Sequence, residues 1–287
     1  MKLYTRFTLV VLLFSGLLAP AFSQTITISE IDPGPYTPGS SVAVKMNVSG
    51  GACVNTANVY TLYLSDAAGN FATKKAIGTF NGFYATFVNG TLPAGITGSA
   101  NYKLEVISSS PAVTSNTLAL NVVTSGGTIT AGINAPPINS TYPEVFGNCS
   151  SQSNFTFIFD NTNSKINGSP VTPGATVKSV FYNESDQTTD ATITTTSGTT
   201  GGSFPAAATN YTIYVTTTNG SVVGTHAYML INNVTNTNFG TSGTSTVCLG
   251  GELTFSVDVT APTGIQNNFP GDYYSVSWGD GSVENFT

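Results

Sequence analysis

The chain has 287 residues, 40% hydrophobic and 11% aromatic, but only 8% charged, with 8 Lys plus Arg against 14 Asp plus Glu and a net charge of −6. A nucleic-acid partner needs a basic footprint, which this composition excludes, while the apolar content is too high for a disordered polar chain. The chain holds a single histidine and neither a Gly-x-Ser-x-Gly elbow nor a His-Glu-x-x-His helix, so no catalytic constellation is legible and no enzymatic activity is expected.

Lys2 and Arg6 precede an apolar run over residues 9–18, followed by Pro20, Ala21, Phe22, Ser23 and Gln24. The run is shorter than the roughly 20 residues of a membrane span. Ala21 and Ser23 occupy the −3 and −1 positions of a cut before Gln24, so residues 1–23 read as a secretory signal peptide and the mature chain is expected to be exported. No cysteine follows the apolar core to take a lipid, and no later run is long and apolar enough to span a membrane.

Beyond Gln24 the periodicity is two, not 3.6, and the expected class is all-β. Val42, Val44, Met46 and Val48 alternate with Ser41, Ala43, Lys45 and Asn47, the pattern of one buried and one wet face. Further strands are expected at residues 25–30, 58–64, 73–79, 82–88, 102–107 and 117–123. Breakers separate them at Asp32-Pro33-Gly34-Pro35, Pro38-Gly39, Ala68-Gly69-Asn70 and residues 89–98. Residues 24–123 thus fit one β-sandwich, in which Tyr102 reads either as a corner tyrosine bonded to loop backbone or as an ordinary cross-strand aromatic.

The Thr-Ser-Gly-Gly-Thr stretch at 124–128 reads as a short flexible junction. A second sandwich over 124–232 is expected from strands at 127–133, 153–159, 176–182, 191–196, 210–218 and 221–231, the last two joined through Asn219-Gly220 as a type I′ hairpin. Residues 233–246 are Asn, Thr, Ser and Gly apart from Val234 and Phe239, and read as a linker. A third unit begins at Val247-Cys248-Leu249-Gly250-Gly251. It reaches a strand over 273–278 and the turn Gly279-Asp280-Gly281, with the partner strand expected to lie beyond Thr287, so that 247–287 reads as an incomplete domain.

Cys53, Cys149 and Cys248 fall about one per unit. Disulfide partners are left open by an odd count in an exported chain, and the absence of a Cys-x-x-Cys pair argues against a metal site. His226 alternates with Tyr228 and Leu230 and reads as structural. Calcium is the cofactor considered, through Glu184 and Asp186 in the polar loop 183–190 or through Asp272 and Asp280, although a turn-forming role fits the latter two better. Tyr60, Phe83 and Tyr84 are weighed as an aromatic platform for carbohydrate against plain core packing. Asn-x-Ser/Thr triplets at Asn47, Asn89, Asn148, Asn154, Asn183, Asn210 and Asn233 follow from composition.

The run Tyr273-Tyr274-Ser275-Val276-Ser277-Trp278-Gly279-Asp280-Gly281-Ser282 resembles the hallmark strand and turn of PKD domains, which are immunoglobulin-like modules of exported proteins. The opening at Val247 is similar to their first strand. The idiom Tyr36-Thr37-Pro38-Gly39-Ser40-Ser41-Val42, with Leu92-Pro93, Tyr102-Lys103-Leu104-Glu105-Val106 and residues 109–116, resembles the β modules of large SprB-type surface adhesins of Bacteroidetes. That resemblance implies tandem immunoglobulin-like sandwiches, type IX export, tethering at the outer membrane through anchoring or secretion proteins, and a role in attachment or gliding motility on an external surface or polysaccharide. Accessory modules of an exported polysaccharide- or protein-degrading enzyme are the alternative.

Overall fold

Alternating apolar residues become strands once each can lay one face on a core, and this chain builds everything from that step. The computed structural model describes residues 24–49, 54, 57–82, 85–134, 143–148, 154–160, 163–171, 174–196, 199–205, 210–232, 241–243, 255–257, 274–277 and 281–286. All regular structure among them is β, and among these described residues no helix is long and apolar enough to cross a membrane.

The first sandwich comprises β1 (Thr25–Glu30), β2 (Ser41–Ser49), β3 (Val59–Leu64), β4 (Lys75–Asn81), β5 (Phe87–Thr91), β6 (Ser99–Ser109), β7 (Ala112–Thr114) and β8 (Leu118–Val122). One sheet runs β1-β2-β5; the other runs β4-β3-β6, with β7 and β8 both on the far side of β6. A three-stranded sheet against a larger one, with the order exchanged between them, is an immunoglobulin-like sandwich. Val42, Val44 and Met46 meet Tyr60, Leu62, Leu64, Tyr102, Leu104 and Val106 in its core. β7 and β8 are one edge interrupted at 115–117. There Asn116 reaches across to β1, accepting from the Ile28 N–H at 2.6 Å and donating to its carbonyl at 2.9 Å.

The second sandwich holds β9 (Ile129–Thr130), β10 (Val145–Asn148), β11 (Asn154–Asp160), β12 (Lys165–Ile166), β13 (Ser169–Pro170), β14 (Thr176–Asn183), β15 (Thr189–Thr195), β16 (Thr199–Pro205), β17 (Asn210–Asn219) and β18 (Val222–Asn232). Its main sheet is β10-β18-β17-β14-β15, with β10 parallel to β18, and β11 pairs with β16. Phe181, Tyr211, Ile213, Val215, Tyr228 and Leu230 form one buried face.

The β17-β18 hairpin turns on Gly220 and Ser221, because Asn219 pairs with Val222. Gly220 alone has positive φ (+60°), so the turn belongs to the II′ family and not the expected I′. The Asn-Gly pair with both φ positive is Asn167-Gly168, between β12 and β13.

Further along, β19 (Thr241–Gly243) lies inside the stretch expected to be a linker and pairs with β20 (Phe255–Val257). β21 (Tyr274–Ser277) pairs with β22 (Val283–Phe286), so the expectation that its partner lies beyond Thr287 is corrected. Four residues after Gly281 (φ +94°) suffice for the return strand.

Candidate functional site: the seam between the sandwiches

The face of β2 expected to be wet stays exposed at Asn47 but is covered from Ser41 to Lys45. Ser41, Ala43 and Lys45 are buried like their apolar neighbours, and Lys45 is only 5% exposed. The cover is the second sandwich. Along β17, Tyr211, Ile213 and Val215 face its own core while Thr212, Tyr214 and Thr216 are buried on the opposite face. Ala43 and Phe87 of the first sandwich share an apolar cluster with Val145, Tyr214, Ala227 and Met229 of the second. Phe80 meets Phe87 edge to face beside it, centroids 5.6 Å apart.

The polar part of the seam follows from where strands stop. β1 ends opposite Lys45, so the Ala43 backbone faces no strand on that side. Its N–H donates to Thr225 Oγ1 at 2.8 Å, and its carbonyl accepts from Tyr214 Oη at 2.8 Å. The reciprocal gap lies on β18, where β10 begins only opposite Met229. Asn89 of β5 fills it, Oδ1 accepting from the Ala227 N–H at 2.8 Å and Nδ2 donating to the Ala227 carbonyl at 2.9 Å. Each sandwich thus completes an edge of the other with side chains that imitate a strand. An unpaired buried amide is costly, so these bonds are structural requirements.

The segment read as a turn at Asp32-Pro33-Gly34-Pro35 is the clip of this seam. The Val223 N–H donates to the Pro35 carbonyl at 2.9 Å. Tyr36, fully buried, donates its N–H to Asn121, accepts from Val123, and makes parallel bridges to both Val122 and Val223. Its hydroxyl donates to the Asp32 carbonyl at 3.0 Å and lies 3.3 Å from Thr225 Oγ1. Burial pushes the Tyr36 hydroxyl well above its ordinary pKa, with the neighbouring Tyr214 adding to it. Burial likewise takes Tyr214 to about 12, and Tyr228 to about 12. Gly34 needs its φ of +83° to pass the Tyr36 ring, which a Cβ there would meet at 2.8 Å.

The junction at 124–128 carries bonds of its own. Thr37 Oγ1 donates to the Gly127 carbonyl at 2.5 Å, Thr128 Oγ1 donates to the Pro38 carbonyl, and the Thr128 N–H donates to Asn167 Oδ1. Ser40 and Ser41 accept from the N–H groups of Ile129 and Ala131, both at 2.9 Å.

His226 stands at the rim. Its Nε2 lies 3.2 Å from Glu144 Oε1 and 3.1 Å from Asn89 Nδ2, with the Tyr228 ring 4.8 Å away. Burial pushes the Glu144 carboxyl up, but the hydrogen bond and charge of His226, helped by Asn89, outweigh it and leave the carboxyl below its usual value. The imidazole thus bridges Glu144 of its own sandwich and Asn89 of the other.

Tyr60 is fully buried in the first core, which removes it from any carbohydrate platform; Phe83 and Tyr84 lie outside the described residues. Tyr102 puts its ring in the same core. In the 183–190 loop, Asp186 Oδ1 accepts from the Thr188 N–H and hydroxyl, and Asp190 Oδ2 accepts from Asn183. Glu184 Oε2 accepts from Gln187, while its buried Oε1 borders a recess of about 210 Å³. Calcium takes six to eight oxygens. Among the described residues no three His, Cys, Asp or Glu side chains gather for a metal. Cys53, Cys149 and Cys248 lie outside the described residues, as do Trp278, Gly279, Asp280 and Asp272; of the run 273–282 the structure describes 274–277, 281 and 282. The triplet asparagines Asn89 and Asn183 are committed to hydrogen bonds within the fold.

Strand order and seam together define a pair of immunoglobulin-like sandwiches joined through completed edges. No family model matches the chain, and neither does any curated protein. Solved structures that align with it include fibronectin(III)-like modules of Clostridium thermocellum CbhA (10% identity, 72% of this chain and 93% of that one, TM-score 0.24). Domains FN1–FN3 of chicken CNTN1 align at 13% identity over 91% of this chain and 82% of theirs (TM-score 0.25). The BSP domain of a biofilm associated protein aligns at 11% identity over 71% of this chain and 29% of its own (TM-score 0.27). At these scores the alignments add nothing to the strand order, and no function is drawn from them.

Proposed function

We propose that the chain forms the N-terminal modules of a multidomain cell-surface adhesin, with a structural and binding role in surface attachment or gliding motility. The observation that carries this reading is the use made of the polar groups: the one histidine, Tyr36, Tyr214 and Asn89 all hold two sandwiches together. A chain that spends its functional groups on rigidity suits a scaffold better than a reaction centre. The signal-peptide pattern of residues 1–23 supports export, and the charge-poor composition favours an external surface or polysaccharide over a polyanion. Tethering at the outer membrane through anchoring or secretion proteins of the type IX route belongs to the same proposal.

Two measurements test it together. Deleting the gene should reduce attachment or spreading of the cells. An antibody against residues 24–232 should detect a surface product of hundreds of kilodaltons. Unchanged attachment and spreading would overturn the adhesin reading, and a native product whose further domains degrade polysaccharide or protein would replace it with the accessory-module alternative.

A further inference from the structure

We infer that the Pro35–Tyr36 clip is a shear clamp, through which tension between the two ends of the chain is held by both sandwiches at once and released in one event. The inference concerns how the fold answers load and stands whatever the chain binds. It rests on strand direction. Tyr36 lies at the entry of the first sandwich and is parallel to Val122, at the exit of that sandwich, and to Val223, in the exit strand of the second. When two parallel strands are pulled, one from its N-terminal side and the other from its C-terminal side, they slide past one another and every bond between them is strained together. An antiparallel pair pulled from its open end breaks one bond at a time.

Here the bonds loaded together are Tyr36 N–H to Asn121, Val123 N–H to Tyr36 and Val223 N–H to Pro35, at 2.8–2.9 Å. The same geometry recurs within the second sandwich, where β10 pairs in parallel with β18 from Val145 with Met229 to Asn148 with Asn232. The Val223 side chain packs into the first core, so sliding β18 also pulls an apolar residue from the other sandwich. The Ala43 and Ala227 edge bonds lie in the same seam and must break before either sandwich leaves the other. Among the described residues, β1 lies ahead of this patch, held antiparallel to β2 and by Asn116.

The test is single-molecule stretching of the segment from Gln24 to Thr287, held by its two ends. The 187 residues from Tyr36 to Val223 should be released in one step, a contour-length gain of roughly 65 nm at about 0.36 nm per residue. A second geometry avoids altering the seam: a handle on an azido residue replacing the exposed Ser125, pulled against the C-terminus, bypasses Tyr36. That pull should release the second sandwich alone, at lower force. Asn89→Ala combined with Thr225→Val removes edge bonds but spares the three backbone bonds of the clip, so the single step should persist at lower force; two steps of about 30 nm in that variant would overturn the clamp. Two independent steps of about 30 nm in the unaltered chain, or equal forces in the two pulling geometries, would overturn the clamp.

Discussion

Replacing Tyr214 by Phe removes one oxygen and leaves the ring in place, so it isolates what the seam's hydrogen bonds contribute. That oxygen donates to the Ala43 carbonyl at 2.8 Å and accepts from the Asp32 N–H at 3.3 Å. Tyr214 is 3% exposed and Ala43 fully buried, so water does not easily replace the lost donor. An orphaned buried carbonyl costs about 1–3 kcal/mol; the longer bond to Asp32 adds less, and the expected loss is about 2–3 kcal/mol. For a folded unit of this size that lowers Tm by roughly 4–10 °C. Tryptophan fluorescence is blind here, because the single Trp278 lies beyond both sandwiches. Hydrogen exchange with peptide resolution reads them separately. Amides of β2 and β5 in the first sandwich should lose protection along with those of β17 and β18, although the substitution sits in the second. A change within 0.5 kcal/mol, or lost protection confined to the second sandwich, would refute the claim that each sandwich completes the other's edge.

A Cβ on Gly78 would collide with the Asn89 carbonyl oxygen and lie 2.7 Å from Gly90 Cα, so Gly78→Ala must push β4 off β5. It should cost about 3 kcal/mol or more in urea unfolding, and a loss below about 1 kcal/mol would show that β4 moves freely. At alkaline pH the buried tyrosines govern. Tyr214 and Tyr228 ionise near 10 when unfolded and near 12 when folded, so their contribution is fully present below pH 10 and lost as pH rises through 12, about 3 kcal/mol for each. The urea midpoint should fall steeply from pH 10 to 12, and the slope should lessen in Tyr214→Phe. Glu144, whose carboxyl is held below 4.5, acts at the other end: its contribution is present above that value and lost as pH falls through the folded pKa. Glu144→Gln should flatten the acid limb of the stability profile below pH 5, and an unchanged limb would remove the His226 contact from the account.

Strands with a clean period of two were legible. Residues 25–30 match β1 to the residue, and the ends of β3, β8 and β14 differ by one residue. β16 was missed because Thr-Thr-Gly-Gly-Ser-Phe-Pro has neither alternation nor strand propensity; it exists through seven pairings with β11. β10 is four residues long and rests on β18, information that is not local. Asn219-Gly220 marked the right hairpin with the wrong turn type, because register set by the flanking pairs shifted the loop one residue along. The seam left a misleading trace. Ser41, Ala43 and Lys45 have the polarity of a solvated face, and nothing within β2 says that another sheet will cover it. The available clue was Asp32-Pro33-Gly34-Pro35-Tyr36, whose breakers announced a turn but not that the turn would hold two modules.

The low charge of the chain and the chemistry of the seam are connected. Joining two modules through ion pairs means desolvating charges, whose mutual attraction often fails to recover that cost. This seam instead matches hydroxyls and a carboxamide to backbone amides, and Thr212 to Thr86 at 2.5 Å. The buried ammonium of Lys45 meets the Gln187 amide at 2.7 Å and the Tyr182 ring at 4.8 Å. Neutral bonds are not screened by salt, whereas exposed charge pairs lose their attraction beyond a Debye length of about 8 Å at physiological ionic strength. Only the Glu144–His226 contact at the rim should respond. Coupling between the sandwiches is therefore expected to persist from dilute buffer to 1 M sodium chloride, read as an unchanged single melting transition of the two. A transition that divides as salt rises would mean that charge holds the join, and the edge-completion argument would fail with it.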